Sequence, residues 1–321
     1  MSEAAPSPAP PVAAHKHPAV TIVMPVYNAA EYLDESIGSV LAQEPGSLEV
    51  ICVDDASTDD SAAIIERVAE QDGRVRLLRQ AQNAGAPSAR NRAMAAARGD
   101  YLLFMDADDE LCPGALASLV EIARDSRAEA VKGLMLVNEG RRKQVPHSLN
   151  QSRAWAATNL KDCAEIQHLY QYQSYLFDAA FVRASEVRFD PGLRNFQDPV
   201  FLAHLLPQCE HIEVTDTPVY VRKTRPGSII TSTWQRDNFE SLIRGVSDAY
   251  AHLMLQDQRG AAGKIALTFS NWWYKFESMP ANLDREQCIE MFALMQDFIN
   301  ASRHPVTSSR WNKIEAKHCL T

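Results

Sequence analysis

Apolar positions in the first hundred or so residues switch repeatedly between two periods. Val20-Thr21-Ile22-Val23-Met24 is a short run rich in β-branched residues, as a buried strand requires, and Pro25 is expected to end it. Asn28 then offers a helix N-cap, with Glu31 three residues on. Leu33, Ile37, Val40 and Leu41 follow at helical spacing. The alternation repeats: Leu48 to Val53 reads as a strand, and Ser57 to Asp60 supplies caps. Ile64, Ile65, Val68 and Ala69 form the next helical face, and Arg74 to Leu78 the next strand. Pro87 to Arg98 is Ala-rich and helical with Gly99 as its stop, Tyr101 to Met105 is a fourth strand, and Pro113 opens a further helix.

Strand–helix alternation predicts an α/β fold: a mostly parallel, Rossmann-like sheet flanked by helices. Such sheets bind ligands at the carboxyl ends of their strands. Pro25-Val26-Tyr27-Asn28 follows the first strand, Asp54-Asp55 the second and Asp106-Ala107-Asp108-Asp109 the fourth. From about residue 136 the rhythm weakens, Glu139 to Lys143 reads as an exposed turn, and beyond Gln235 the chain reads as helical.

Composition changes this picture in three ways. The 321 residues carry a net charge of −9, which argues against nucleic-acid binding and leaves any phosphate-bearing ligand in need of a local cation. Six cysteines, Cys52, Cys112, Cys163, Cys209, Cys288 and Cys319, lack C-x-x-C or zinc spacing and read as reduced, mostly buried thiols. No apolar run is long enough to cross a membrane. Met1 to Pro18, rich in Ala and Pro, lacks the layout of a signal peptide and is expected to be a disordered tail. A cytoplasmic location follows as the expectation, with peripheral contact at the inner face of the membrane left open.

Carboxylates gathered at one sheet edge repel one another unless a cation or hydrogen-bond donor sits among them. Asp106-Ala107-Asp108 lets one bend of the chain present two carboxylates to the same space. Mg²⁺ or Mn²⁺ prefers such oxygen ligands and completes its shell with phosphate oxygens and water. It would bridge an acidic protein to an acidic pyrophosphate. An acid after a strand also serves as a helix cap, but two acidic groups at strand ends weaken that alternative.

Four blocks then stand together: Val23-Met24-Pro25-Val26-Tyr27-Asn28; Val53-Asp54-Asp55-Ala56-Ser57-Thr58-Asp59; Asn83-Ala84-Gly85 with Ala89-Arg90-Asn91; and Gly99 to Asp109. In this order and spacing, across roughly residues 20 to 115, the chain resembles the inverting family 2 glycosyltransferases of the GT-A fold, of the bacterial surface-polysaccharide type. The resemblance implies a nucleotide-sugar-binding half over 19–135, an acceptor-binding half over 136–235 and a helical C-terminal region over 236–321. It implies that Pro25, Val26 and Tyr27 line the base pocket and that Asp55 accepts a hydrogen bond from the base, favouring uracil. Asp106 would lie near the ribose and Asp108 would hold the metal. Arg90 falls in the donor region, where it could neutralise phosphate charge or stand as an exposed helix arginine.

An inverting transfer needs a base. In similar enzymes this is a carboxylate inside an aromatic-acid-aromatic stretch, which Asn195-Phe196-Gln197-Asp198-Pro199-Val200-Phe201 fits, with Asp198 as the base. The usual form has an acid where this chain has Gln197. Asp198 also suits a helix start, whose dipole would lower its pKa. Tyr220-Val221-Arg222 followed by Ser228 resembles a family element at the rim, with Arg222, Lys223 and Arg225 able to reach the diphosphate or the acceptor. Trp234, Trp272, Trp273 and Tyr274 read as core or interface aromatics. The expected partners are a nucleotide-sugar donor, of UDP, and a glycan or lipid-linked glycan acceptor, with a homo-oligomer contact through the C-terminal region left open. Two alternatives stand beside the enzyme: a catalytically inactive binding subunit on the same fold, and a sugar nucleotidyltransferase. Pro25 to Glu31 lacks the Gly and Lys of the latter's phosphate loop.

Overall fold

The computed structural model describes residues 18–43, 47–139, 142–144, 155–163, 166–223, 236–271, 293 and 295–300. The tail before Pro18, Arg225, Ser228, Trp234, Trp272, Trp273, Tyr274, Cys288 and Cys319 lie outside them. The first half runs β1 (Val20–Val26), α1 (Leu33–Leu41), β2 (Leu48–Asp54), α2 (Ser61–Gln71), β3 (Val75–Arg79), α3 (Ala86–Ala96), β4 (Tyr101–Phe104), β5 (Glu110–Leu111) and α4 (Ala115–Ser126). The second half runs β6 (Ala130–Glu139), β7 (Arg142–Gln144), β8 (Trp155–Thr158), β9 (Tyr175–Asp178), α5 (Ala179–Ala184), α6 (Gln197–Leu205), β10 (Ile212–Lys223), α7 (Arg236–Leu255) and α8 (Arg259–Asn271).

All these strands join one sheet in the order β3-β2-β1-β4-β9-β6-β10-β5, with β7 on β6 and β8 on β10. The β3-β2-β1-β4 portion is parallel, as strand–helix alternation demands. Beyond it the sheet is mixed: β9 is antiparallel to both β4 and β6, while β6 and β10 are parallel. The two sheet faces carry separate cores. Ile22, Met24, Val50 and Cys52 point to the face covered by α1, α2 and α4. Val23, Ile51, Val53 and Phe104 point to the other face, where α3, α6 and α7 pack. On that second face Tyr172, Phe177, Phe189 and Phe201 all meet the Phe104 ring edge-on.

Several local expectations are corrected. Pro25 does not end β1; it pairs with Val53 and the strand runs on to Val26. Val23 O accepts from Met105 N, so by alternation Pro25's missing N–H also faces the β4 side, beyond the last β1–β4 pair, Val23–Phe104. Asn28 does not cap α1, which starts at Leu33 without a side-chain cap. With φ of 48°, it accepts from Thr58 N (2.8 Å) and donates its own N–H to Ser57 Oγ (3.0 Å), tying the loop after β1 to the loop after β2. Gly99 does not close α3, whose C-cap is Ala97; it is needed where β4 begins against β1. The α4 helix starts two residues after Pro113, behind Gly114 in the left-handed region. Glu139 to Lys143 is not simply a turn: Glu139 ends β6 and Arg142 begins β7, antiparallel to it. Cys52, Cys112, Cys163 and Cys209 are buried thiols outside any disulfide among the described residues.

Candidate active site

The carboxyl ends of β1, β2 and β4 carry the residues that the sequence singles out. After β1, Pro25 is half-buried, Val26 buried and Tyr27 half exposed at 50%, presenting a ring at the sheet edge. After β2, Asp55 is buried. Its Oδ1 accepts from Gln80 Nε2 (2.6 Å) and Ala84 N (2.8 Å), and its Oδ2 from Gly85 N (2.8 Å). It thereby shapes the turn that leads into α3, and Gly85 can hold its φ of 86° because it lacks a Cβ.

Arg90, on α3, is not an exposed helix arginine. It is 5% exposed and its guanidinium lies over the rings of Tyr172 (5.1 Å) and Phe189 (5.4 Å). Its Nη2 donates to Asp106 Oδ1 (2.7 Å) and its Nη1 to Gln197 Oε1 (2.7 Å). One guanidinium thus joins the first half of the chain to the start of α6. Burial works against its charge, but Tyr172 and Asp106, with Asp198 adding to them, hold it protonated well above the usual range.

Asp106 is enclosed by donors: Arg90 and Tyr172 Oη (3.4 Å) on Oδ1, and Gln173 Nε2 (2.9 Å) on Oδ2. Its backbone N–H donates to Tyr220 Oη (3.1 Å), and the same hydroxyl donates to Asp109 Oδ2 (2.7 Å). Asp109 Oδ1 accepts from Lys223 N (2.8 Å). The Asp106–Asp109 bend is therefore clamped to the end of β10. Burial, then the charges of Asp106 and Asp108, push Asp109 up to about 8 despite these bonds. Asp108 stands half-buried between them with interactions of its own.

Asp198 sits half-buried in the first turn of α6, behind Phe196, whose φ of 59° turns the chain sharply into the helix. The expectation of a lowered pKa is corrected: Asp198 is pushed up to about 6. Burial dominates, Arg90 opposes it, Asp106 adds to it, and the residue's own backbone N–H and Arg222 pull the other way. The favourable field of a helix N-terminus is outweighed by loss of water. Arg222 is half-buried near the end of β10, facing Asp198 electrostatically. Lys223 is bound to Glu35 (2.5 Å) and Glu110.

The fold thus gathers Arg90, Asp106, Asp198 and Arg222 into one electrostatic cluster, with Asp108 acting on the neighbouring Asp109 and with Pro25, Val26, Tyr27 and Asp55 on the neighbouring strand ends. Sequence reasoning missed Tyr172, Gln173, Asp109 and Tyr220 as parts of it. Asp109 and Tyr220 stood inside blocks already singled out; Tyr172 and Gln173 form a single 3₁₀ turn before β9 that carries no periodic signal. A cleft of about 680 Å³ lined by Gly192, Arg194, Ser241 and Arg244 lies elsewhere, and none of the strand-end carboxylates lines it.

Known proteins share this chain's sequence pattern and fold. The chain is 30% identical over 217 residues to the uncharacterised glycosyltransferase EpsJ of Bacillus subtilis (strain 168), covering 66% of this chain and 63% of EpsJ. The match therefore spans less than two thirds of that relative. It is 32% identical over 242 residues to the succinoglycan biosynthesis protein ExoO of Rhizobium meliloti (strain 1021), covering 73% of this chain and 68% of ExoO. In fold it is similar to S. aureus TarS 1-349, solved in complex with UDP-GlcNAc: TM-score 0.72 and 21% identity over 88% of this chain and 81% of that one. Residues 21–183, from the first strand through the carboxylate bend to the end of the parallel sheet and beyond, match the glycosyl transferase family 2 profile, and the chain belongs to that family.

Proposed function

We propose that this chain transfers a sugar from a nucleoside diphosphate sugar, with UDP as the nucleotide, to a hydroxyl of a glycan or lipid-linked glycan, inverting the anomeric centre. The observation that carries the reading is the meeting of Asp106, from the donor-side sheet edge, with Asp198, from the second half, around one buried arginine. The family supports the reaction class, and the name of ExoO supports surface polysaccharide as the setting.

In this reading Tyr27 stacks on the base while Pro25 and Val26 wall its pocket. Asp55 holds the neighbouring turn and offers its carboxylate to the uracil edge. Asp106 lies by the ribose. Arg90 and Arg222 place positive charge behind the diphosphate. Asp198 takes the proton from the acceptor hydroxyl as that oxygen bonds to the anomeric carbon and the carbon–phosphate-oxygen bond breaks, releasing UDP. A base titrating at about 6 is mostly ionised at neutral pH yet still basic enough to accept a proton.

The oxygen-only donor set and the mutual repulsion of Asp106, Asp108 and Asp109 suit a hard divalent cation such as Mg²⁺ or Mn²⁺. In this reading Asp108 holds the ion, as the family pattern of the carboxylate bend implies. Among the described residues no group of three His, Cys, Asp or Glu side chains is arranged for a metal, so the diphosphate and water would complete the shell. When bound, the ion supplies charge compensation to the departing diphosphate.

Release of UDP from a panel of UDP-sugars, with and without Mn²⁺ or Mg²⁺, tests the reading. Wild type should turn over one donor in a metal-dependent way, and Asp108→Ala should lose that dependence along with most of the rate. Failure of wild type to bind UDP by calorimetry with metal present would sink the UDP-dependent enzyme.

A further inference from the structure

Gln197 stands where the family resemblance leads one to expect an acid, and the structure shows a specific use for its amide. The carbonyl Oε1 accepts from Arg90 Nη1 at 2.7 Å. The amide Nε2 donates to Leu193 O (3.0 Å) and Arg194 O (3.3 Å). Reversing the amide would set N–H groups against the guanidinium and an oxygen against two carbonyls, so its orientation is determined. A glutamate here would face the same two carbonyl oxygens with no proton to donate. The neutral amide is therefore the side chain that satisfies both neighbours.

The neutrality has a second consequence. Four charged groups form the cluster: Arg90 from α3, Asp106 from the bend after β4, Asp198 on α6 and Arg222 from β10. The Tyr172 hydroxyl adds a neutral dipole from the turn before β9. On the other side of α6, α7 contributes Asp248 and His252. These meet His204, six residues along the helix from Asp198, with His204 Nε2 2.8 Å from Asp248 Oδ2. With Gln197 neutral, two cations balance two carboxylates. A third carboxylate bound directly to Arg90 would draw on the guanidinium charge that now acts on Asp198.

We propose that Gln197 is a positioning residue for the base: it holds Arg90 between Asp106 and Asp198 through an uncharged contact, and so sets the pH above which Asp198 can accept a proton. The assignment rests on the glycosyl-transfer reading above. Gln197→Glu is expected to move the acidic midpoint of kcat/KM for UDP release upward by about one pH unit, the scale of a lost opposite charge or a gained like charge at close range. Gln197→Met, which releases the guanidinium from α6 without adding charge, should slow the reaction and move the midpoint upward by less. A merely structural role would lower the rate in both variants and move the midpoint in neither.

A second measurement needs no turnover. Asp198→Asn should raise the thermal midpoint above about pH 6 and have little effect near pH 4. In a Gln197→Glu background, the pH at which that gain levels off should rise by about one unit. Should Gln197→Glu not fold, Arg90→Gln removes the cation without adding an anion and should move the kinetic midpoint upward in the same way. Profiles of the charge-changing variants that superpose on wild type overturn the proposal. If wild type turns over no donor, the glycosyl-transfer reading has failed instead, and the thermal measurement still decides the electrostatic role of Gln197.

Discussion

At the scale of single residues, Asp198 and Asp106 show how one arginine can serve two carboxylates differently. Asp106 receives the Arg90 hydrogen bond itself, with Tyr172 and Gln173 completing its surroundings. Asp198 feels the same cation only through space, and burial raises its pKa to about 6. Because that folded value lies above the unfolded one of about 3.9, the folded state binds the proton more tightly. Stability is therefore highest below the unfolded pKa and falls as pH rises toward 6. Asp198→Asn removes that loss, so it should melt higher than wild type at pH 8 and nearly together with it at pH 4. The same change should lower kcat about 10²- to 10⁴-fold, the usual contribution of a general base. A variant that kept full rate would remove Asp198 from the chemistry.

At the scale of elements, the parallel strands are held in register near their amino ends by Glu49 on β2. Its buried carboxylate accepts from Thr21 Oγ1 on β1 (2.8 Å), Arg98 N (2.7 Å), the Arg98 side chain (2.8 Å) and Arg76 Nη1 on β3 (3.1 Å). Burial opposes the ionised form, but these bonds together outweigh it and hold the pKa below the usual carboxylate range. Here the sign is the reverse of Asp198: the stabilisation is complete above the unfolded pKa and is lost as pH falls through the lower folded one. Glu49→Ala should cost about 1–3 kcal/mol, since buried donors lose their acceptor. Urea titration should find that deficit at pH 7 and a smaller one in acid. Gly99 belongs to the same junction, its N–H donating to Thr21 Oγ1 (2.9 Å). A Cβ there would lie 2.5 Å from Thr21 N and 2.9 Å from Tyr101 O, backbone atoms that cannot step aside. Gly99→Ala should therefore destabilise by about 1–3 kcal/mol, the range for overpacking, and leave the donor binding proposed for the opposite end of the sheet unchanged.

At the scale of the whole molecule, the helices after β10 are part of the core that carries Asp198. Phe239, Leu242, Ile243 and Val246 of α7 are buried in the same apolar cluster as Phe201, Leu202 and Leu205 of α6. Ser241 Oγ accepts from Arg194 N (2.8 Å) and Asn195 N (3.2 Å), anchoring the stretch that turns into Asp198. Ending the chain before Arg236 should expose this face and yield protein that does not unfold cooperatively in urea, as circular dichroism would show. A truncated chain that retained a sharp transition would show that α6 is held by the sheet alone.

The sequence by itself determined the parallel part of the sheet and the candidate carboxylates. Both depend on short-range information: the period of apolar residues, and acidic residues placed directly after strands. It missed most of the strands beyond residue 136: β9 is only four residues long, and β10 is interrupted by Thr215-Asp216-Thr217-Pro218, where its register on β6 shifts. Tertiary structure alone decided that Arg90 is buried, that Asn28 clamps two loops, that Pro25 lies within a strand and that Asp198 is pushed upward. Each depends on partners far along the chain: Arg90 meets Gln197 107 residues away, and Tyr220 meets Asp109 across 111. Periodicity is blind to such separations. A side chain's charge and a proline's tolerability are set by the water excluded around them and the strands beside them, and those exist only once the chain has folded.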